Sequence, residues 1–111
     1  MKIKTSEAAG AALDWAVAKC EGRDLRGTSW RRIRDVPYGK YSPSTNWSQG
    51  GPIIEREKIG TLWEARNVWS ASTKWDDPSK VFYGRTKLIA GLRCFVASKL
   101  GDEVEVPDEL T

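Results

Sequence analysis

The chain has 111 residues, a formal net charge of +3, 40% apolar residues, six tryptophans, two cysteines and no histidine. That length fits one domain, residues 1–111, with enough apolar content for a real core. The missing histidine excludes the usual general base for a serine or cysteine nucleophile, and Cys20 and Cys94, far apart in sequence, cannot form a structural zinc site.

No apolar run approaches the roughly 20 residues that a membrane span needs, and none of the opening residues reads as a signal peptide. The expected setting is the cytoplasm, with both thiols reduced and buried. The charge is uneven. Asp102, Glu103, Glu105, Asp108 and Glu109 make residues 101–111 an acidic tail, while Arg23, Arg26, Arg31, Arg32 and Arg34 make the body basic. A basic body favours anionic partners or attracts its own tail. Six tryptophans exceed what so small a core can hold, so one or two are expected at a surface or interface.

Residues 1–22 read as a helix. Thr5 or Ser6 supplies the N-cap, Glu7 lies in the first turn, and Leu13, Ala16, Val17 and Cys20 form the buried stripe. Gly22 suits the position after a helix, since glycine adopts the left-handed conformation freely. Residues 23–40 carry a weak alternation from Trp30 to Asp35 and a turn at Val36-Pro37-Tyr38-Gly39.

Tyr41-Ser42-Pro43-Ser44-Thr45-Asn46-Trp47-Ser48-Gln49-Gly50-Gly51-Pro52 reads as a polar loop running into a helix that ends near Lys58. A short turn is expected at 45–50, with the helix proper entered at Pro52, because proline suits the first helical position. Residues 61–70 alternate. Leu62, Glu64, Arg66 and Val68 fall on one face and Trp63, Ala65, Asn67 and Trp69 on the other, which predicts one strand with its tryptophan face buried.

A polar loop follows at 71–80, then a short strand at Val81-Phe82-Tyr83. A helix is predicted from Thr86 to Leu100, buried through Leu88, Ile89, Leu92, Phe95, Val96 and Leu100 and closed by Gly101. Val104 and Val106 alternate with acids, so the tail can add an edge strand before Pro107. The sum is an α+β fold, a small sheet of two to four strands with helices on one or both faces.

Two stretches carry candidate chemistry. Ser44, Thr45 and Asn46 can each cap a helix, and the orphan N–H groups of a helix start can also hold an anion. Tyr41 and Trp47 can stack on a planar ligand or simply pack. Arg85 and Thr86 open the last helix, where a guanidinium and helix-start N–H groups again coincide. The bland alternatives are a plain cap and a solvated arginine. No P-loop or dinucleotide fingerprint is present, and the acidic pairs Glu55/Glu57 and Asp76/Asp77 imply no shared catalytic site.

Leu13 to Gly22, Tyr41 to Glu57 and Leu88 to Gly101 resemble the small NinX-type proteins of lambdoid phages and prophages, a family of unknown function. The loop and helix at 41–56 also resemble the wider phage α-β-α sandwich group, in which Tyr-Ser-Thr-Asp precedes a helix. Asn46 stands here in place of that aspartate, which leaves a hydrogen-bonding role and weakens an acidic or metal-ligating one. The resemblance implies an accessory protein of a temperate phage, made in the host cytoplasm, of the kind that often modulates the host or blunts its defences.

The expected function is therefore a non-enzymatic binder of a small anionic, nucleotide-like ligand, with no catalytic residue, metal or cofactor. Tyr41, Ser44, Thr45, Asn46, Trp47, Arg85 and Thr86 are its candidate contacts. The alternative is a protein-interaction module that uses surplus tryptophans, Trp30 or Trp75, against a host protein or in a homodimer. Direct nucleic-acid binding through the arginines is the weakest reading, because the acidic tail opposes it and no recognition signature supports it.

Overall fold

The computed structural model describes residues 1–22 and 41–108. Strand β1 (Lys2–Lys4) leads through a single 3-10 turn to helix α1 (Gly10–Cys20). Helix α2 (Trp47–Arg56) follows, then β2 (Gly60–Ala65), β3 (Val68–Ser72), β4 (Phe82–Gly84), helix α3 (Lys87–Leu100) and β5 (Glu103–Glu105). The strands form two antiparallel sheets, β1-β5 and β2-β3-β4. The fold is α+β, as composition and periodicity predict.

Helix α3 is the centre of the core. Leu88, Ala90, Gly91, Leu92, Cys94, Phe95 and Val96 are all buried. A helix apolar on so many sides must be packed on more than one of them, and α3 contacts α1, α2 and the three-stranded sheet. Its bounds match the sequence reading. Thr86 Oγ1 accepts from the Ile89 N–H at 3.1 Å, and Gly101 ends the helix at φ 87°. Gly84 lets the sheet approach, because a β-carbon there would come within 2.6 Å of the Ala90 nitrogen.

The amino terminus differs from expectation. Residues 1–22 are not one helix, and Thr5 and Ser6 cap nothing. Lys2, Ile3 and Lys4 pair instead with Glu105, Val104 and Glu103. Two lysines thus face two glutamates across the ladder, and Val104 is buried. Thr5 donates its hydroxyl to the Gly101 carbonyl at 3.0 Å and its N–H to the Asp102 carbonyl at 2.8 Å. A hydroxyl used across the fold is unavailable as a cap, so α1 starts later, after Ala9, with no side-chain cap. The acidic tail does add an edge strand, to β1.

The predicted strand over 61–70 is a hairpin. Trp63 pairs with Trp69 and Leu62 with Ser70, and the register slips by one residue between Trp63 and Ala65. Asn67 turns the chain at φ 60°, a left-handed position that asparagine tolerates. Continuous alternation hid this turn, because a hairpin conserves the period-two pattern on both of its arms. Trp63 is 61% exposed and Trp69 half-buried, so the tryptophan face is not buried as expected.

Helix α2 begins at Trp47, and Pro52 lies inside it. Asn46 takes the cap, its Oδ1 accepting from the Ser48 N–H at 3.0 Å and the Ser48 hydroxyl at 2.6 Å. Ile53 and Ile54 anchor the helix in the core while Pro52 faces solvent. Burial of the isoleucines offsets the one hydrogen bond that Pro52 cannot donate. The weak strand and turn expected within 23–40, Trp30 and the arginine run all lie outside the described residues.

Candidate functional site

The loop before α2 is clamped from three sides. The Thr45 and Asn46 N–H groups donate to the Ser42 carbonyl, and the Ser44 N–H donates to Asp14 Oδ1 on α1 at 2.8 Å. The Ser42 N–H donates to Gln49 Oε1 at 2.7 Å. Pro43 is fully buried beneath Gly50. The start of α2 is therefore rigidly placed, and Trp47 projects from it, 54% exposed, with its ring lying along Gly51.

Helix α3 starts beside it. Lys87, in the first turn, sends its ammonium across the gap, 5.5 Å from the Trp47 ring centre and 5.1 Å from that of Trp69. Both distances fall within cation–π range. Trp69 in turn lies opposite Trp63 on β2 and Gly84 on β4. Trp63, Trp69, Lys87 and Trp47 thus form one ribbon along the end of the fold where two helices begin. Arg85 and Thr86 adjoin it, both exposed. Among the described residues, Lys87 and Arg85 have no carboxylate partner within ion-pair distance.

Two helix N-termini and two cations give this end a positive potential. Thr45, Asn46, Trp47, Arg85 and Thr86 share it. Asn46 and Thr86 are engaged as caps through their side-chain oxygens, and the Thr45 hydroxyl points back at the Ser42 carbonyl at 3.4 Å. Tyr41 and Ser44 do not join them, since both are buried. Among the described residues the Ser44 hydroxyl has no hydrogen-bond partner. Tyr41 instead borders a separate groove of about 360 Å³ with Glu21, Gln49 and Arg56. There the Arg56 guanidinium is held by both Glu21 oxygens at 3.0 and 2.9 Å, so its charge is already answered.

Sequence reasoning missed Lys87, Trp69 and Trp63. Lys87 carried a signal, because a cation in the first turn of a helix opposes the macrodipole and asks for another partner. Trp69 and Trp63 carried none until the hairpin brought them together. Among the described residues no three Cys, Asp or Glu side chains converge to hold a metal ion. Neither thiol is activated. Burial pushes Cys20 up to about 11 and raises Cys94 as well.

With this geometry in place, the chain can be compared with known proteins. Residues 4–99 match the family model of NinX from bacteriophage P22. The chain belongs to the NinX family. The matched span holds α1, α2, the three-stranded sheet and all but the last residue of α3, and therefore the whole tryptophan–lysine ribbon of this NinX domain. No curated protein matches the chain. Among the described residues of this family member, no helix is long and apolar enough to cross a membrane.

Proposed function

We propose that this phage protein is a non-enzymatic binder of a small anionic, nucleotide-like ligand. The observation that supports it is Lys87 lying between Trp47 and Trp69 where α2 and α3 start. An indole face stacks on a planar base, and an ammonium beside it meets the phosphate. Arg85 adds a second cation, and the first-turn N–H groups of α3 add donors. Asn46 and Thr45 stand at the rim as hydrogen-bonding groups. In the bacterial cytoplasm such a protein would sequester a nucleotide signal and so modulate or counter host defence.

The test is a thermal-shift panel of mono-, di- and cyclic nucleotides with inorganic phosphate alongside. A ligand at a hundredfold excess over its Kd stabilises by about 2.7 kcal/mol. One nucleotide class is expected to raise the melting temperature and quench tryptophan fluorescence. Lys87→Met and Trp47→Leu are each expected to remove both responses. No response to any nucleotide at millimolar concentration would sink the reading.

A second reading, a protein-interaction module, is favoured by a different observation: Leu62, Trp75 and Tyr83 are exposed on or beside the three-stranded sheet.

A further inference from the structure

Helix α3 covers one face of the sheet β2-β3-β4. That inner face carries Ala71, Phe82 and Gly84. The pleat turns Leu62, Glu64, Val68, Ser70 and Tyr83 to the opposite face. Among the described residues no α-helix packs there; the 3-10 turn Pro78–Lys80 meets only the end of this face, where the buried Ser72 donates its hydroxyl to the Lys80 carbonyl at 2.7 Å. A solvated antiparallel face is ordinarily polar, yet Leu62, Ser70 and Tyr83 stand in one cross-strand row with Leu62 and Tyr83 both exposed. Trp75 extends the patch, its indole nitrogen against Gly60 at one end of β2. The one acid on this face, Glu64, is exposed and accepts from the Ser70 hydroxyl at 2.7 Å.

We propose that this outer sheet face is a homodimer interface, closed by a second copy of the chain. Two features of the face specify that partner. The first is area. Leu62, Trp75 and Tyr83 are each 47–54% exposed. Trp75 and Tyr83, aromatic side chains of ~150–250 Å² apiece and about half exposed, present roughly 200 Å² between them, and Leu62 and Val68 add aliphatic area beside them. A standard interface takes about 800 Å² from each partner, a little over half of it apolar. The face supplies a large part of that apolar share, and its rim supplies polar area.

The second feature is charge. The hairpin end of the sheet carries Glu64 and Arg66, and the opposite end, beyond Trp75, carries Lys74, Asp76 and Asp77. A twofold axis lying across the strands reverses strand direction between copies. It sets Arg66 of one copy over Asp76 and Asp77 of the other, twice, and Glu64 near Lys74. An isologous interface of this kind is self-complementary and closes at two subunits.

Sedimentation velocity on the full chain, over a roughly hundredfold concentration range, reads the outcome directly. The mass is expected to rise from one chain to two. Tyr83→Glu is expected to hold it at one chain with an unchanged circular dichroism spectrum. Arg66→Asp, in an exposed turn where folding is not at risk, is expected to weaken the dimer by tenfold or more. Adding Asp76→Arg and Asp77→Arg to Arg66→Asp is expected to restore it. A wild-type chain that stays single throughout, including one whose sheet face takes up a different protein, would overturn the proposal. So would a dimer indifferent to Tyr83→Glu and Arg66→Asp, or a charge reversal that fails to rescue.

Discussion

Gly50 sits directly under Pro43, so close that a β-carbon on Gly50 would collide with the Pro43 carbonyl oxygen and with Leu88 Cδ2. This contact locks the loop before α2 onto the helix and sets where Trp47 emerges. Alanine is the better helix former by about 1 kcal/mol. Gly50→Ala is nevertheless expected to destabilise by about 1–3 kcal/mol, because the colliding atom belongs to the backbone and cannot swing away. Urea denaturation monitored by circular dichroism measures the difference. A gain in stability would mean that the loop yields easily.

Asn46 separates fold from ligand. Its Oδ1 serves as the N-cap of α2. Asn46→Ala is expected to cost about 1 kcal/mol through loss of that cap. Asn46→Asp keeps the acceptor and places a negative charge at the helix start, which favours the fold by about 0.3–1 kcal/mol. The same charge repels an anion. Asn46→Asp is therefore expected to raise the melting temperature while weakening nucleotide binding. Thermal shifts with and without the nucleotide class selected by the panel distinguish the two effects, and stronger binding would contradict an anionic ligand.

Arg93 bolts three elements together. Its Nε donates to the Ala8 carbonyl and its NH1 to the Tyr83 carbonyl, both at 2.7 Å. Burial lowers the affinity of the guanidinium for its proton, yet the group stays charged at neutral pH. Arg93→Met leaves two carbonyls without their charged donor and is expected to cost about 2–4 kcal/mol. Arg93→Lys is expected to recover less than half, since one ammonium cannot match the fork. Chemical denaturation of the three proteins tests this.

Alkaline pH is expected to weaken the fold. Burial raises the Cys20 thiol from 9.0 to about 11. The unfolded chain therefore loses its thiol proton first as the pH rises. The contribution of the neutral thiol is complete below about pH 9 and disappears between pH 9 and about 11. The amino terminus acts in the same sense, because its bonds to Glu105 and Asp108 raise its pKa above 8.0. Melting temperatures are expected to fall from pH 9 to 11, and less steeply in Cys20→Ala. An equal slope in both proteins would remove the thiol from the account.

Local signals sufficed for elements held by local chemistry. Helix α3 was legible end to end, because its Thr86 cap, its apolar spacing and its Gly101 stop all act within a few residues of one another. The tail strand was legible from Val104 and Val106, whereas the cap of α2 was narrowed only to Ser44, Thr45 or Asn46 and its start was placed at Pro52, five residues late. The partners of Thr5, Trp63 and Lys87 were decided by tertiary structure. Thr5 looked like a cap until the Gly101 carbonyl, 96 residues away, claimed its hydroxyl. Trp63 and Trp69 looked like one buried face until a two-sided pattern folded back on itself at Asn67. Lys87 looked like an ordinary surface cation, and only the meeting of two helix starts put Trp47 on one side of it and Trp69 on the other. Caps, periods and stops are set by energies between near neighbours in the chain. Pairings between distant residues depend on which surfaces the core leaves adjacent, and a linear pattern carries no distance between them.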